Sequence, residues 1–205
     1  MEPHMYENGA SRGEAGFSLT ELIIVLAIFA LFMSMAIPAF SNWLPGHRLG
    51  SAVKDLYTNF QYIKFAAIKQ NATCAVAFDN GVSPGRYFLC TNPGVNGIWD
   101  GPAAMGGDDI AIRTVELSSY GSGVNYGAGS ATNDIPGGGA APADPITFAA
   151  PTHIALFSAS GTALNPGMSG SYVYLSNIRG SSYGVGTPSI AGAIILRKWG
   201  GSSWN

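Results

Sequence analysis

Charge is what this chain has least of. Only 11% of its 205 residues are Asp, Glu, Lys or Arg, against roughly 25% in an ordinary soluble domain. The formal net charge is -2, so the basic excess expected of a general nucleic-acid binder is missing. Cysteine occurs only at Cys74 and Cys90, and histidine three times. Neither cysteine has the Cys/His spacing of a zinc site, and no glycine-rich phosphate loop occurs. Glycine is plentiful, with 28 residues, beside 12 prolines. That composition favours turns, short strands and long connections. The length suffices for one domain with a real core plus a short appendage.

One apolar segment dominates. From Leu22 to Ile37 only Ser34 interrupts the run, and adding its flanks gives 24 residues from 17 to 40. A helix of that length spans ~36 Å, enough for a bilayer core of ~30 Å. A secretory signal has a shorter apolar region, roughly 7–15 residues, and ends in a small-residue cleavage site. Ser41-Asn42-Trp43-Leu44-Pro45 is not of that type. Glu21 stands near the start of the run. A carboxylate inside a bilayer costs on the order of 2.5–3.5 kcal/mol, so it is either paired and functional or tolerated at the membrane surface.

The residues just before it decide between these readings. Gly16-Phe17-Ser18-Leu19-Thr20-Glu21 resembles the processing site of type IV prepilins and type II secretion pseudopilins. The resemblance implies a leader, residues 1–16, cut after Gly16 by a prepilin peptidase, with N-methylation of the new N-terminal residue, Phe17. It implies a glutamate at the fifth mature position, here Glu21, and a proline near the twenty-second, here Pro38. Glu21 of one subunit would pair with the Phe17 amine of its neighbour, weakly screened among apolar helices and specifying register. Pro38 removes a backbone N–H and is expected to kink or locally melt the helix. The leader departs from the usual basic pattern, carrying Glu2, Glu7 and Glu14 against Arg12; a start at Met5 would remove only Glu2.

The resemblance also implies the organisation of the chain. Residues 17–41 are the transmembrane and assembly helix, and 42–205 form a periplasmic globular domain. The partners are major and minor pilins or pseudopilins, the peptidase, an inner-membrane assembly platform and membrane lipid. Leu49, Val53, Leu56, Phe60, Ile63 and Ala67 recur at steps of four and three, one apolar stripe on a helix. A second helical half is therefore expected from about Trp43 to Gln70, after a break near Pro45-Gly46, packing on a sheet. Strands are expected at Cys74–Phe78 and Arg86–Cys90, flanking a strong turn signal. Further strands are expected at Ile110–Leu117, Ile146–Phe148, Ile154–Phe157, Tyr172–Leu175 and Ala193–Lys198. Ser118 to Asp144 holds seven glycines and reads as a long irregular surface loop. The fold class is α+β, a long N-terminal helix packed on antiparallel sheet, pilin-like. In an oxidising periplasm Cys74 and Cys90, at the outer ends of the first hairpin, are expected to form a disulfide.

The helix and strand order resemble the minor pseudopilin H and FimT-like subgroup. Some FimT-like members bind DNA through basic C-terminal residues. Here Arg197-Lys198 is the one adjacent basic pair, and residues 42–205 hold nine Lys/Arg against eight Asp/Glu, a poor footprint for DNA. No catalytic site, cofactor or metal is expected. Gly180-Ser181-Ser182-Tyr183-Gly184 formally matches a nucleophile elbow, but no helix start follows it. Asp108-Asp109 with Asp100 fall short of the six to eight oxygens calcium wants, so a solvated turn is expected. The leading reading is a structural minor pilin or pseudopilin of a type II secretion pseudopilus or type IV pilus, anchored in the inner membrane. The alternative is a filament subunit capturing DNA or a secreted substrate.

Overall fold

The computed structural model describes residues 16–148, 152–164, 166–167 and 170–205. The expected leader up to residue 15, with the alternative start at Met5, lies outside the described residues. One helix, α1, runs from Leu19 to Gln70. Ser18 opens it: the Glu21 backbone N–H donates to the Ser18 hydroxyl at 3.1 Å, the geometry of an N-cap. Asn71 closes it in the left-handed region, with φ 50°. There Ala72 N–H donates to the Ala67 carbonyl and Asn71 N–H to that of Ile68, so two of the last carbonyls are satisfied by a Schellman turn.

The helix has no break at Pro45-Gly46, contrary to expectation. A proline removes one intrahelical hydrogen bond, but Pro45 is itself buried, one turn before the buried Leu49. Packing of that turn outweighs the lost bond. The assigned helix is continuous through Pro38 as well.

The chain divides into two compact units between Ser41 and Asn42. The first contains the apolar stretch of α1. The second contains the rest of α1 and, among the described residues, eight strands in two antiparallel sheets. The first sheet has the order β3 (Ile110–Glu116), β2 (Arg86–Asn92), β1 (Cys74–Asp79), β5 (Ile154–Phe157). The second has the order β4 (Val124–Tyr126), β6 (Ser171–Asn177), β7 (Ser182–Thr187), β8 (Ile195–Lys198). The expected stripe on α1 is buried throughout, and it shares one core with both sheets: Val76, Phe78 and Leu89 from the first, Val173, Leu175 and Val185 from the second. Phe60 stands at its centre, with ring centroids of Phe78, Phe148 and Phe157 at 5.8, 5.9 and 6.0 Å.

Each sheet is also covered on its far face. Ala75, Ala77, Phe88, Cys90 and Ile154 of the first sheet pack with Trp99 and Met105. Tyr172 and Tyr174 of the second pack with Ile135 and Trp204. That double burial overturns the expected disulfide. Ala75, not Cys74, lies opposite Cys90. Side chains alternate between faces along a strand, so Cys74 enters the core beneath α1 while Cys90 enters the outer cluster. Both are free and buried.

Three further expectations change. The stretch 118–144 is partly ordered: it carries β4, the end of a 3-10 turn (Leu117–Tyr120), and a bridge from Asn133 to Ala140. Ile146–Phe148 is not a strand but makes one bridge, Ile146 to Val173. The glycine-serine segment 180–184, expected to be a turn, contributes Ser182, Tyr183 and Gly184 to β7, because Gly184 and Gly186 allow close approach there. A Cβ on Gly186 would lie 2.0 Å from the Ser171 carbonyl oxygen.

Candidate functional site

In the first unit every residue from 16 to 41 is exposed. The large apolar side chains between Phe17 and Phe40 are 41% to 84% exposed. A soluble subunit does not present such a surface to water, and a core helix would be buried. The stretch is long and apolar enough to cross a membrane. Its few polar groups are handled locally. The Ser34 hydroxyl donates to the Leu31 carbonyl at 2.7 Å and the Ser41 hydroxyl to the Pro38 carbonyl at 3.0 Å, so neither needs water.

The expected site residues Gly16, Phe17 and Glu21 meet at the start of this helix. Gly16 precedes it in open space, and Phe17 is 84% exposed. Glu21 occupies the third position of the first turn, where a carboxylate faces the positive end of the helix dipole. Phe17 itself precedes the helix, one residue before the Ser18 cap. Pro38 lies in the same exposed stretch, one turn beyond Ser34, whose carbonyl it cannot satisfy. Sequence reasoning missed Ser18. The signal was present in Ser18-Leu19-Thr20-Glu21, the spacing of a capping box. It ties the helix start to Glu21, one of the residues of the expected processing motif.

The remaining candidate groups lie in the second unit. Ser182 is buried at the start of β7, and a strand rather than a helix follows it. His153 Nε2 lies 2.7 Å from Asp144 Oδ2. No nucleophile elbow forms, and the fold is consistent with a non-catalytic structural pilin. Asp109 is not in a solvated turn as expected: it is buried. Lys198, of the basic pair, lies over the Tyr183 ring, 5.8 Å from its centroid.

Comparison with protein families matches residues 11–37 to the prokaryotic N-terminal methylation motif, which is typical of type IV pilins and pseudopilins. The matched segment holds Gly16, Phe17 and Glu21 and ends one residue before Pro38. Neither the curated proteins nor the solved structures contain a match to this chain. Motif and fold together define the general class: a structural subunit of pilin or pseudopilin type, with an N-terminal processing motif and a long helix packed on antiparallel sheet. Among the described residues it carries one apolar N-terminal helix of membrane-spanning length, followed by a globular C-terminal part.

Proposed function

We propose that the chain is a minor pilin or pseudopilin of the H and FimT-like kind. A prepilin peptidase cuts its leader between Gly16 and Phe17, and Phe17 is then N-methylated. The mature subunit waits in the inner membrane with residues 42–205 in the periplasm. An assembly platform then moves it into a type II secretion pseudopilus or a type IV pilus, beside major and minor subunits. The observation that carries this reading is the methylation motif, set on a helix start whose following apolar surface is wholly exposed.

Assembly follows from the energetics of that surface. In lipid, helices gain little from apolar contact alone, because acyl chains are as apolar as leucine. Glu21 supplies a directional term. Unpaired in the bilayer it is costly. In a filament the Phe17 amine of a neighbour offsets that cost and fixes the axial offset between subunits.

Intact-mass analysis of the protein from its native membrane tests the processing step. The expected chain begins at Phe17 and carries one added methyl group. A mature N-terminus anywhere else overturns the proposal. A bulky residue at position 16 is expected to leave the precursor uncut.

A further inference from the structure

Just past the apolar stretch, α1 presents a face that the rest of the second unit leaves uncovered. His47, Gly50, Ser51 and Lys54 recur at steps of three and four, so they share one side of the helix. With Ser181 and Lys198 from the second sheet's side they line an open cavity of about 360 Å³. Small-ligand sites run from roughly 300 to 1,000 Å³.

The charge in this cavity is of one sign. Among the described residues no Asp or Glu lines it, and the sequence has none between Glu21 and Asp55. Asp55 is engaged elsewhere, accepting the Tyr120 hydroxyl at 2.9 Å. Among the described residues neither Lys54 nor Lys198 is in an ion pair. Lys198 Nζ lies 5.8 Å from the Tyr183 ring centroid, a contact that positions an ammonium without neutralising it. Hydroxyls of Ser51 and Ser181 add neutral donors. Two lysines and hydroxyl donors around one concavity suit a phosphate group.

Glycine keeps the cavity open. Gly46 and Gly50 both line it, one turn apart in α1, where glycine is unfavourable relative to alanine. A Cβ on either would meet nothing within 4 Å. No neighbour in the chain therefore requires the missing side chains, and the space they leave is available to a molecule outside it.

The position along the chain names that molecule. Trp43 forms another wall, 57% exposed, with its ring centroid 4.6 Å from that of His47. Only Ser41 and Asn42 separate it from Phe40, the last residue of the apolar run. Tryptophan at such a place sits at the level of lipid headgroups. Side chains on a helix lean toward its N-terminus, which carries Lys54 back toward Trp43.

We propose that this cavity binds the phosphate of an anionic phospholipid headgroup. Lys54 and Lys198 pair with its charge, and Trp43 lies against the glycerol. The bound lipid holds the second unit at the bilayer surface until the subunit is assembled. This rests on the proposed reading of residues 17–41 as a membrane span.

The test uses the full chain. Flotation with vesicles of phosphatidylcholine alone first reads the membrane span: a chain that does not float overturns that reading and the proposal with it. A chain that floats is then titrated in dodecyl maltoside micelles with phosphatidylglycerol, phosphatidylcholine, inorganic phosphate and a single-stranded oligonucleotide. Binding is read from Trp43 emission, taken by difference against Trp43→Phe, and from lipid retained in native mass spectra. One phosphatidylglycerol per chain is expected at saturation, at least about fivefold tighter than phosphatidylcholine, with inorganic phosphate competing weakly. Lys54→Gln and Lys198→Gln are each expected to weaken it about fivefold, while Lys69→Gln, outside the cavity, leaves it unchanged. Gly50→Leu, which fills the cavity, is expected to abolish retention without lowering Tm; should it unfold the chain, the two lysine variants decide. Equal retention of the two lipids, or phosphatidylglycerol binding that survives both lysine variants, overturns the proposal. So does binding of inorganic phosphate or the oligonucleotide as tight as that of phosphatidylglycerol, which would make the cavity a general phosphate site.

Discussion

Cys90 is a thiol held away from every oxidant. Burial pushes its pKa up from the usual thiol value to about 12, with the Asp109 charge adding to the effect. Burial raises that of Cys74 too. The thiolate is the reactive form, so neither cysteine is expected to react in the native chain at pH 8. A thiol reagent should modify none before denaturation and both afterwards, without any reductant. Detection of a bridged chain would mean that the strands can slip by one residue, which the burial of both faces of the first sheet opposes. Glu21 is the opposite case, a charge with no partner side chain of its own within the subunit's capping turn. On the proposed function, Glu21→Gln keeps shape and removes charge. It is expected to insert in the membrane and be cleaved after Gly16 as usual, yet to recover several-fold less of the major subunit in a pull-down at equal membrane levels. Equal recovery would show that helix packing alone drives assembly.

Strands β6 and β7 show how an element depends on what it lacks. Gly186 pairs with Tyr172 across the ladder, and a methyl group there would press on the Ser171 carbonyl oxygen and on the Tyr172 Cα. Gly186→Ala is expected to cost about 1–3 kcal/mol, the usual range for overpacking, read as a lowered urea midpoint with unchanged slope. The same glycines explain why β7 escaped sequence reading. Ser182-Tyr183-Gly184-Val185-Gly186-Thr187 carries turn residues in a segment that is a strand only because its partner needs the room. Strand β4 is three residues long and embedded among glycines, so pairing with β6 defines it more than its own propensity does. The helix was legible because its apolar period persists from Leu49 to Ala67. Its continuity was not, because a buried proline looks the same in sequence as a helix-breaking one. At the N-terminus Gly16, Phe17, Glu21 and Pro38 were singled out by resemblance to the prepilin processing site, and the methylation-motif match spans the first three. The burial of Asp109 was not legible, because it depends on a loop returning over a sheet face.

The second unit as a whole depends on phenols and a thiol that must stay neutral. Burial pushes Tyr87 and Tyr174 up to about 12 from an ordinary value of 10, and Cys90 to about 12 from 9. In Tyr87 the opposing hydrogen bond from the Asn59 amide, at 2.8 Å, is outweighed. As pH rises through 9 and 10 the unfolded chain releases these protons while the folded chain retains them, so stability falls with pH over the window from about 9 to 12. Below pH 9 these groups make stability flat. The expected result is a unit whose unfolding free energy is constant from pH 7 to 8.5, by these groups alone, and declines steadily above. The tyrosinate signal of Tyr87 and Tyr174, isolated by difference against Tyr87→Phe and Tyr174→Phe, should appear together with unfolding rather than ahead of it. Early ionisation of these two with intact circular dichroism would show that the aromatic clusters admit water.

The free edge of the first sheet has a practical consequence. Strand β3 is its outermost member, and Ile110 and Ile112 are about half exposed there. Edges of this kind recruit other strands unless charged residues interrupt them. On β3 only Arg113, at its middle, and Glu116, at its end, serve as such gatekeepers, and neither lies within residues 110–112. When the chain is concentrated, the first unwanted aggregates should therefore nucleate at residues 110–112. A lysine placed at Ile112 is the substitution expected to keep preparations monodisperse.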